Sequence, residues 1–247
     1  MVRQSSNAIS KAADYNNIGM NEKNESRTKT RLKEVFSGTF RSSSSPLNLI
    51  QKVRSVLLVG PASAGKTLFL KSLVRSCEVF TMRKIKKFHA LHLKSLPNLT
   101  TSTIPTVGVE TSSCTYDSLP LSIREVGSAL APMWPEYLDT SSIIFFIVDS
   151  SSLVRASVAK VELCNMFNCL MKAPNKTAKP IAIILNKVDL SNPSQIASLN
   201  DYLRLDELCE NYRKWGGGEE VAKVFELSAF TGHNVENVLQ WLRKSGA

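Results

Sequence analysis

No stretch of this chain approaches the roughly 18 consecutive apolar residues that a bilayer-spanning helix needs. Nor do the first 30 residues carry the apolar core of a secretory leader. Cysteine is sparse: Cys77, Cys114, Cys164, Cys169 and Cys209 stand apart without Cys-x-x-Cys spacing, which argues against a disulfide framework or a zinc site and for a reducing compartment. Histidine is scarcer still. His89 and His92 lie three apart but have no Cys, Asp or Glu at ligand spacing, so they are expected on the surface and off any metal. Residue 2 is Val2, which excludes N-myristoylation there, and Lys244-Ser245-Gly246-Ala247 is no prenylation box.

Acidic residues are short in supply only locally. The net charge of +10 comes from the first part of the 247 residues: residues 1–45 hold eight Lys and Arg against four acids, and residues 68–105 hold seven against one. From residue 106 onward acids outnumber bases, sixteen to thirteen. Basicity so confined suggests contact with an acidic membrane surface or acidic partner, and argues against a fold that binds nucleic acid specifically. Residues 1–48 are rich in Ser, Asn, Lys and Thr, include Ser42-Ser43-Ser44-Ser45-Pro46, and show no helical or strand period. They are expected to be a disordered basic extension, with a single domain over residues 49–247. Asp14, Glu22, Glu25 and Glu34 speak against a mitochondrial transit peptide. Within the domain, a long basic connection is expected over about residues 77–103, containing Arg83-Lys84-Ile85-Lys86-Lys87.

Against these absences stand several short, nearly continuous apolar runs. Val56 to Val59, Ile143 to Val148 and Ile181 to Leu185 look like strands buried on both faces. Val107–Tyr116 and Leu119–Val126 alternate and flank Asp117-Ser118, which predicts a hairpin. Between two runs, Val154, Val158, Val161, Cys164, Phe167, Leu170 and Met171 recur at helical spacing and are expected to form a core stripe. A last helix is expected over Val235–Leu242. The pattern implies an α/β fold with a doubly wound, mostly parallel six-stranded sheet.

The first strand runs into Gly60-Pro61-Ala62-Ser63-Ala64-Gly65-Lys66-Thr67 and then a helix. This is the setting of a phosphate-binding loop. Gly60 and Gly65 let backbone N–H groups turn inward at a helix N-terminus, Lys66 would reach the β and γ phosphates, and the Thr67 hydroxyl would meet magnesium. Asn186-Lys187-Val188-Asp189 follows the strand Ile181 to Leu185 at the carboxyl edge of the sheet. The Asp189 carboxylate can accept both the N1–H and N2–H of guanine, a donor pair that adenine lacks. Asn186 would brace the loops, and the Lys187 stem would lie over the base. Ser228-Ala229, before the last helix, would add a backbone N–H to the guanine oxygen. An ATPase using Asp149 as a strand-end acid is the competing reading, which Asn186 and Asp189 disfavour.

With these motifs in place, residues from about Val53 to Leu242 resemble a Ras-superfamily GTPase of the ADP-ribosylation-factor-like group. Pro105-Thr106-Val107-Gly108 is similar to its switch I motif, which implies that Thr106 meets magnesium and the γ-phosphate. Leu121 to Gly127, with Ala131-Pro132-Met133-Trp134 and Tyr137, is similar to switch II. The resemblance implies GTP or GDP with Mg2+ as ligands, effectors that read residues 103–110 and 125–137, and a cytoplasmic role in vesicle or ciliary traffic with peripheral membrane contact. Met133 and Trp134 are candidates for the effector surface, with a buried structural tryptophan as the equal alternative for Trp134. One departure bears on chemistry. Where the group reads Asp-x-Gly-Gly-Gln, this chain has Glu125, Val126, Gly127, Ser128 and Ala129. Glu125 is expected to reach the metal and Gly127 and Ser128 the γ-phosphate, but Ala129 cannot orient a water. Very slow or absent hydrolysis is expected, so the chain is either a switch or a scaffold that holds GTP almost permanently.

Overall fold

The computed structural model describes residues 52–84, 103–172, 177–216 and 218–245. The extension at 1–48, His89, His92 and the basic run from Ile85 onward lie outside the described residues. The described elements alternate as expected of a doubly wound sheet. Strand β1 (Arg54–Val59) leads to α1 (Lys66–Lys84), the hairpin of β2 (Val109–Tyr116) and β3 (Leu119–Val126), and α2 (Trp134–Thr140). Then follow β4 (Ile143–Asp149), α3 (Leu153–Lys172), β5 (Ile181–Asn186), α4 (Pro193–Leu203), α5 (Leu205–Gly216), β6 (Ala222–Glu226) and α6 (Val235–Lys244).

The six strands lie in the order β2-β3-β1-β4-β5-β6, with only β2 and β3 antiparallel. Their turn uses Asp117 and Ser118, both at positive φ (48° and 69°), the geometry whose twist suits a two-residue hairpin. Side chains alternate along each central strand, so one sheet feeds two cores. Leu57, Val59, Ile144, Phe146, Ile183 and Leu185 face α2, α3, α4 and α5. Val56, Leu58, Phe145, Ile147 and Ile184 face α1 and α6. Both faces being covered explains why these strands read as unbroken apolar runs. Among the described residues no helix is long and apolar enough to cross a membrane.

Two local expectations are corrected. Helix α1 continues through Cys77 to Lys84, so residues 77–84, expected in the connection, belong to the helix. The stripe on α3 is split. Phe167 and Leu170 are buried, with Ala156, Ala159, Leu163 and Met166 beside them, whereas Val154, Val158 and Val161 are exposed on the opposite side. Small residues (Ala156, Ala159) let the helix approach the sheet closely. Val158→Ser is therefore expected to change unfolding free energy by less than about 0.5 kcal/mol. Leu163→Ala, by contrast, leaves a void costing about 2–5 kcal/mol. Urea unfolding of the two variants measures the difference, and comparable losses would restore the valines to the core.

Candidate nucleotide-binding site

The carboxyl ends of β1, β4 and β5 bring Gly60, Asp149 and Asn186 to one edge of the sheet, where α/β proteins bind ligands. The loop from Gly60 to Gly65 curls because three of its residues take positive φ: Gly60 at 142°, Ser63 at 60° and Gly65 at 88°. Two of them have no room for a side chain. A Cβ on Gly60 would stand 2.3 Å from the Ile147 carbonyl oxygen, and one on Gly65 would stand 2.5 Å from Asn186 Nδ2. Lys66 is buried and donates to the carbonyls of Gly60 and Pro61, both at 2.9 Å. Burial pulls its pKa below the usual lysine range, against the opposing pull of Glu125 and Glu162.

Beside Lys66, side-chain oxygens from α1, from β3 and from the loop before β2 converge. Thr67 Oγ1 donates to Glu125 Oε1 at 2.7 Å, Thr106 Oγ1 donates to the same oxygen at 3.1 Å, and the two hydroxyls are 3.1 Å apart. Glu125 is buried, and its Oε2 makes no hydrogen bond. An all-oxygen set of two neutral hydroxyls and one carboxylate with an orphaned oxygen fits a hard divalent cation such as magnesium. These groups line a small cleft of about 140 Å³ with Ala62, Ser63, Gly65 and Ser128. The two segments expected to act as switches meet at its rim. Gly127 N–H donates to the Gly108 carbonyl at 2.9 Å, and a Cβ on Gly127 would stand 2.4 Å from the Thr106 carbonyl oxygen. The Gly127 donor, expected at a phosphate, is thus engaged with the other switch.

The base motif is held from behind. Asn186 is buried and bridges two loops, donating from Nδ2 to the Ala64 carbonyl and accepting at Oδ1 from Ala229 N–H, each at 2.9 Å. Lys187 stands at φ 67° and sends its Nζ to the Ser63 carbonyl and to Asp149 Oδ2, both at 2.7 Å. Asp149 also pairs with Arg155 and accepts from Ser151. Its burial pushes the carboxyl pKa up, but the hydrogen bonds from Lys187 and Ser151 outweigh that and leave it below the usual range. Asp189 is exposed in the short turn Val188–Leu190, and Ser228 and Ala229 are buried behind it.

Residues 40–245 match the ADP-ribosylation factor family. The chain belongs to this family. It is 26% identical over 151 residues to ADP-ribosylation factor 3 of Arabidopsis thaliana, covering 59% of this chain and 76% of that one. It is 27% identical over 191 residues to ADP-ribosylation factor-like protein 3 of Saccharomyces cerevisiae, covering 76% and 83%. In fold it is similar to the Arl6 BBS3 small GTPase from Trypanosoma brucei with bound nucleotide analogue GppNp. The TM-score is 0.57 at 20% identity, over 78% of this chain and 96% of that one.

Against this ADP-ribosylation factor frame, some placements differ from expectation. Trp134 is buried, its ring edge-on to Phe146 with centroids 6.1 Å apart, so only Met133 of the proposed surface pair is exposed. Asp149, the acid of the competing strand-end reading, is tied to Lys187 and Arg155 and stands opposite Asn186 in the sheet. Glu162 on α3 escaped the sequence reading. Its Oε2 is buried without a partner, burial raises its pKa, and it lies within the electrostatic reach of Lys66. A single acid on an amphipathic helix carries no signal of that placement.

Proposed function

We propose that this ADP-ribosylation factor family protein binds GTP and GDP with Mg2+ and acts as a nucleotide-dependent switch. The observation that carries the reading is the meeting of Thr67, Thr106 and Glu125 on one point beside Lys66. Gly60 to Gly65 and Ser128 would present backbone N–H groups to the phosphates, with Lys66 released from its own loop carbonyls to the β and γ phosphates. Thr67, Thr106 and Glu125 would hold magnesium, which supplies charge neutralisation between the phosphates. Asp189, Lys187 and the Ser228-Ala229 backbone would read guanine. Because Thr106 and Gly127 belong to different switches and already touch, a γ-phosphate between them would order both segments.

Effectors would then read residues 103–110 and 125–137, where Ile104, Val107, Val109 and Met133 are exposed apolar groups. The Arg124-Glu125-x-Gly127 form of switch II and the run to Pro132-x-Trp134 resemble ADP-ribosylation factor-like protein 16, which suggests a cytoplasmic role in vesicle or ciliary traffic. The basic extension at 1–48 would supply contact with acidic membrane or an acidic partner. Ala129 supports the second reading, a scaffold that holds GTP without turnover.

The test is competition for a fluorescent guanine nucleotide on the full chain. GDP and GTP are expected to displace it, ATP is not, and removing magnesium with a chelator is expected to speed its release. Equal displacement by ATP would overturn the guanine assignment. Hydrogen exchange then separates switch from scaffold. Slower exchange over 103–110 and 125–137 with a GTP analogue than with GDP supports the switch; identical profiles support the scaffold.

A further inference from the structure

On the sheet face covered by α1 and α6, α1 runs along the edge strand β2 and touches it at three successive places. Cys77 of α1 is part of the buried cluster on this face and Cys114 of β2 packs against it, the first contact along the seam. Phe80 packs on Tyr116 with ring centroids 4.5 Å apart, and Lys84 pairs with Asp117, which also holds Arg243 of α6. The aromatic pair and the double ion pair hold helix and strand in register, so the two sulfurs are kept facing each other. Cys77 is wholly buried and Cys114 half-buried. The other cysteines are remote from this seam: Cys164 and Cys169 are on α3 and Cys209 is on α5, helices of the opposite face.

We propose that Cys77 and Cys114 form a redox modification site that closes to a disulfide by exchange with a small disulfide such as oxidised glutathione. Cys114 is the entry point, being the more exposed of the two. Its hydrogen bond from Cys77 favours the thiolate and holds its pKa below the usual thiol range, while the same bond and burial keep the proton on Cys77. The Cys114 thiolate attacks one sulfur of oxidised glutathione. A protein–glutathione disulfide forms, the glutathione S–S bond breaks, and one glutathione leaves as thiolate. Cys77 then attacks the Cys114 sulfur and expels the second glutathione, whose sulfur takes up the Cys77 proton and leaves as a thiol. Two protein thiols lose two electrons, and one glutathione disulfide gains them as two thiols.

The bond would join the helix that begins at Lys66 and Thr67 to the strand that begins directly after Thr106 to Gly108. It therefore stiffens the frame of the proposed nucleotide site, a consequence that rests on the reading above; the bond itself does not. Oxidised protein is expected to release bound nucleotide more slowly than reduced protein.

The experiment incubates the full chain with mixtures of oxidised and reduced glutathione, blocks remaining thiols by alkylation, and maps peptides by mass. The expected product is a Cys77–Cys114 linked peptide that dithiothreitol reverses, and Cys114→Ser is expected to abolish it. The exposed Cys169 reports that oxidant was active, by its own glutathionylation. Reaction at Cys169 with Cys77 and Cys114 still alkylated, or glutathione remaining on Cys114 without closure, would overturn the proposal. The wild-type map decides the matter even where a variant folds poorly. Release of fluorescent GDP from the oxidised and reduced forms reads the coupling, and equal rates would overturn that part alone.

Discussion

Asp189→Asn is expected to lower affinity for GDP and GTP by a factor of roughly 10² to 10⁴ and to turn preference toward xanthine nucleotides. Guanine presents N1–H and N2–H side by side, and a carboxylate accepts both. Each such bond to a charged acceptor contributes about 1.5–3 kcal/mol. An asparagine keeps one acceptor but aims an N–H at a guanine donor. Xanthine carries a carbonyl where guanine carries N2, and that carbonyl accepts from the new amide. The substitution should leave the fold alone. Asp189 is exposed, and its turn is held by backbone bonds from Val188 N–H to the Leu227 carbonyl at 3.3 Å and from Leu190 N–H to the Lys187 carbonyl at 2.9 Å. Competition of XDP and GDP against a fluorescent nucleotide measures the switch in preference. An unchanged ratio, with thermal unfolding also unchanged, would mean that Asp189 does not read the base.

The parts of the molecule visible in the sequence are those with a short-range cause. Each central strand is an unbroken apolar run because helices cover both faces, and the Asp117-Ser118 turn sits between two alternating segments. The phosphate loop is legible because only glycine fits where a Cβ would meet the Ile147 carbonyl or Asn186. Features with a long-range cause were hidden. That Lys187 rests on Asp149, 38 positions away, depends on β4 and β5 lying side by side with Asp149 opposite Asn186. Likewise the outward turn of Val154, Val158 and Val161 depends on Ala156 and Ala159 packing against the sheet, and helical spacing alone cannot choose between two apolar faces. The thiol pair joins residues far apart in sequence that no spacing rule connects.

Ala129→Gln is expected to raise single-turnover GTP hydrolysis by roughly 10²-fold, the scale on which placing a reacting water changes a rate. In the wild type the phosphate end of the site has charge and donors: Lys66, the Thr67–Thr106–Glu125 cluster and the loop N–H groups. What it lacks is a side chain that holds the attacking water. Ala129 is exposed in the short 3₁₀ segment Ser128–Met133, next to Ser128 of the cleft lining, so a longer side chain there meets no packing obstacle. Two neighbours limit the gain. The Ser128 Cβ narrows the backbone angles at the proposed γ-phosphate donor, and Glu125, one methylene longer than aspartate, would hold a metal less rigidly. Ser128→Gly combined with Ala129→Gln should therefore exceed the product of the two single effects, since a well-placed donor helps only when a water is positioned to attack. Quench-flow assays of GTP-loaded protein test both variants. Wild-type hydrolysis as fast as that of an ordinary Arf-like GTPase would contradict the expectation, and so would a double variant no faster than the wild type. If the expectation holds, the lifetime of the GTP form is set by nucleotide release or by an outside protein, and the geometry around Lys66 serves to retain GTP rather than to turn it over.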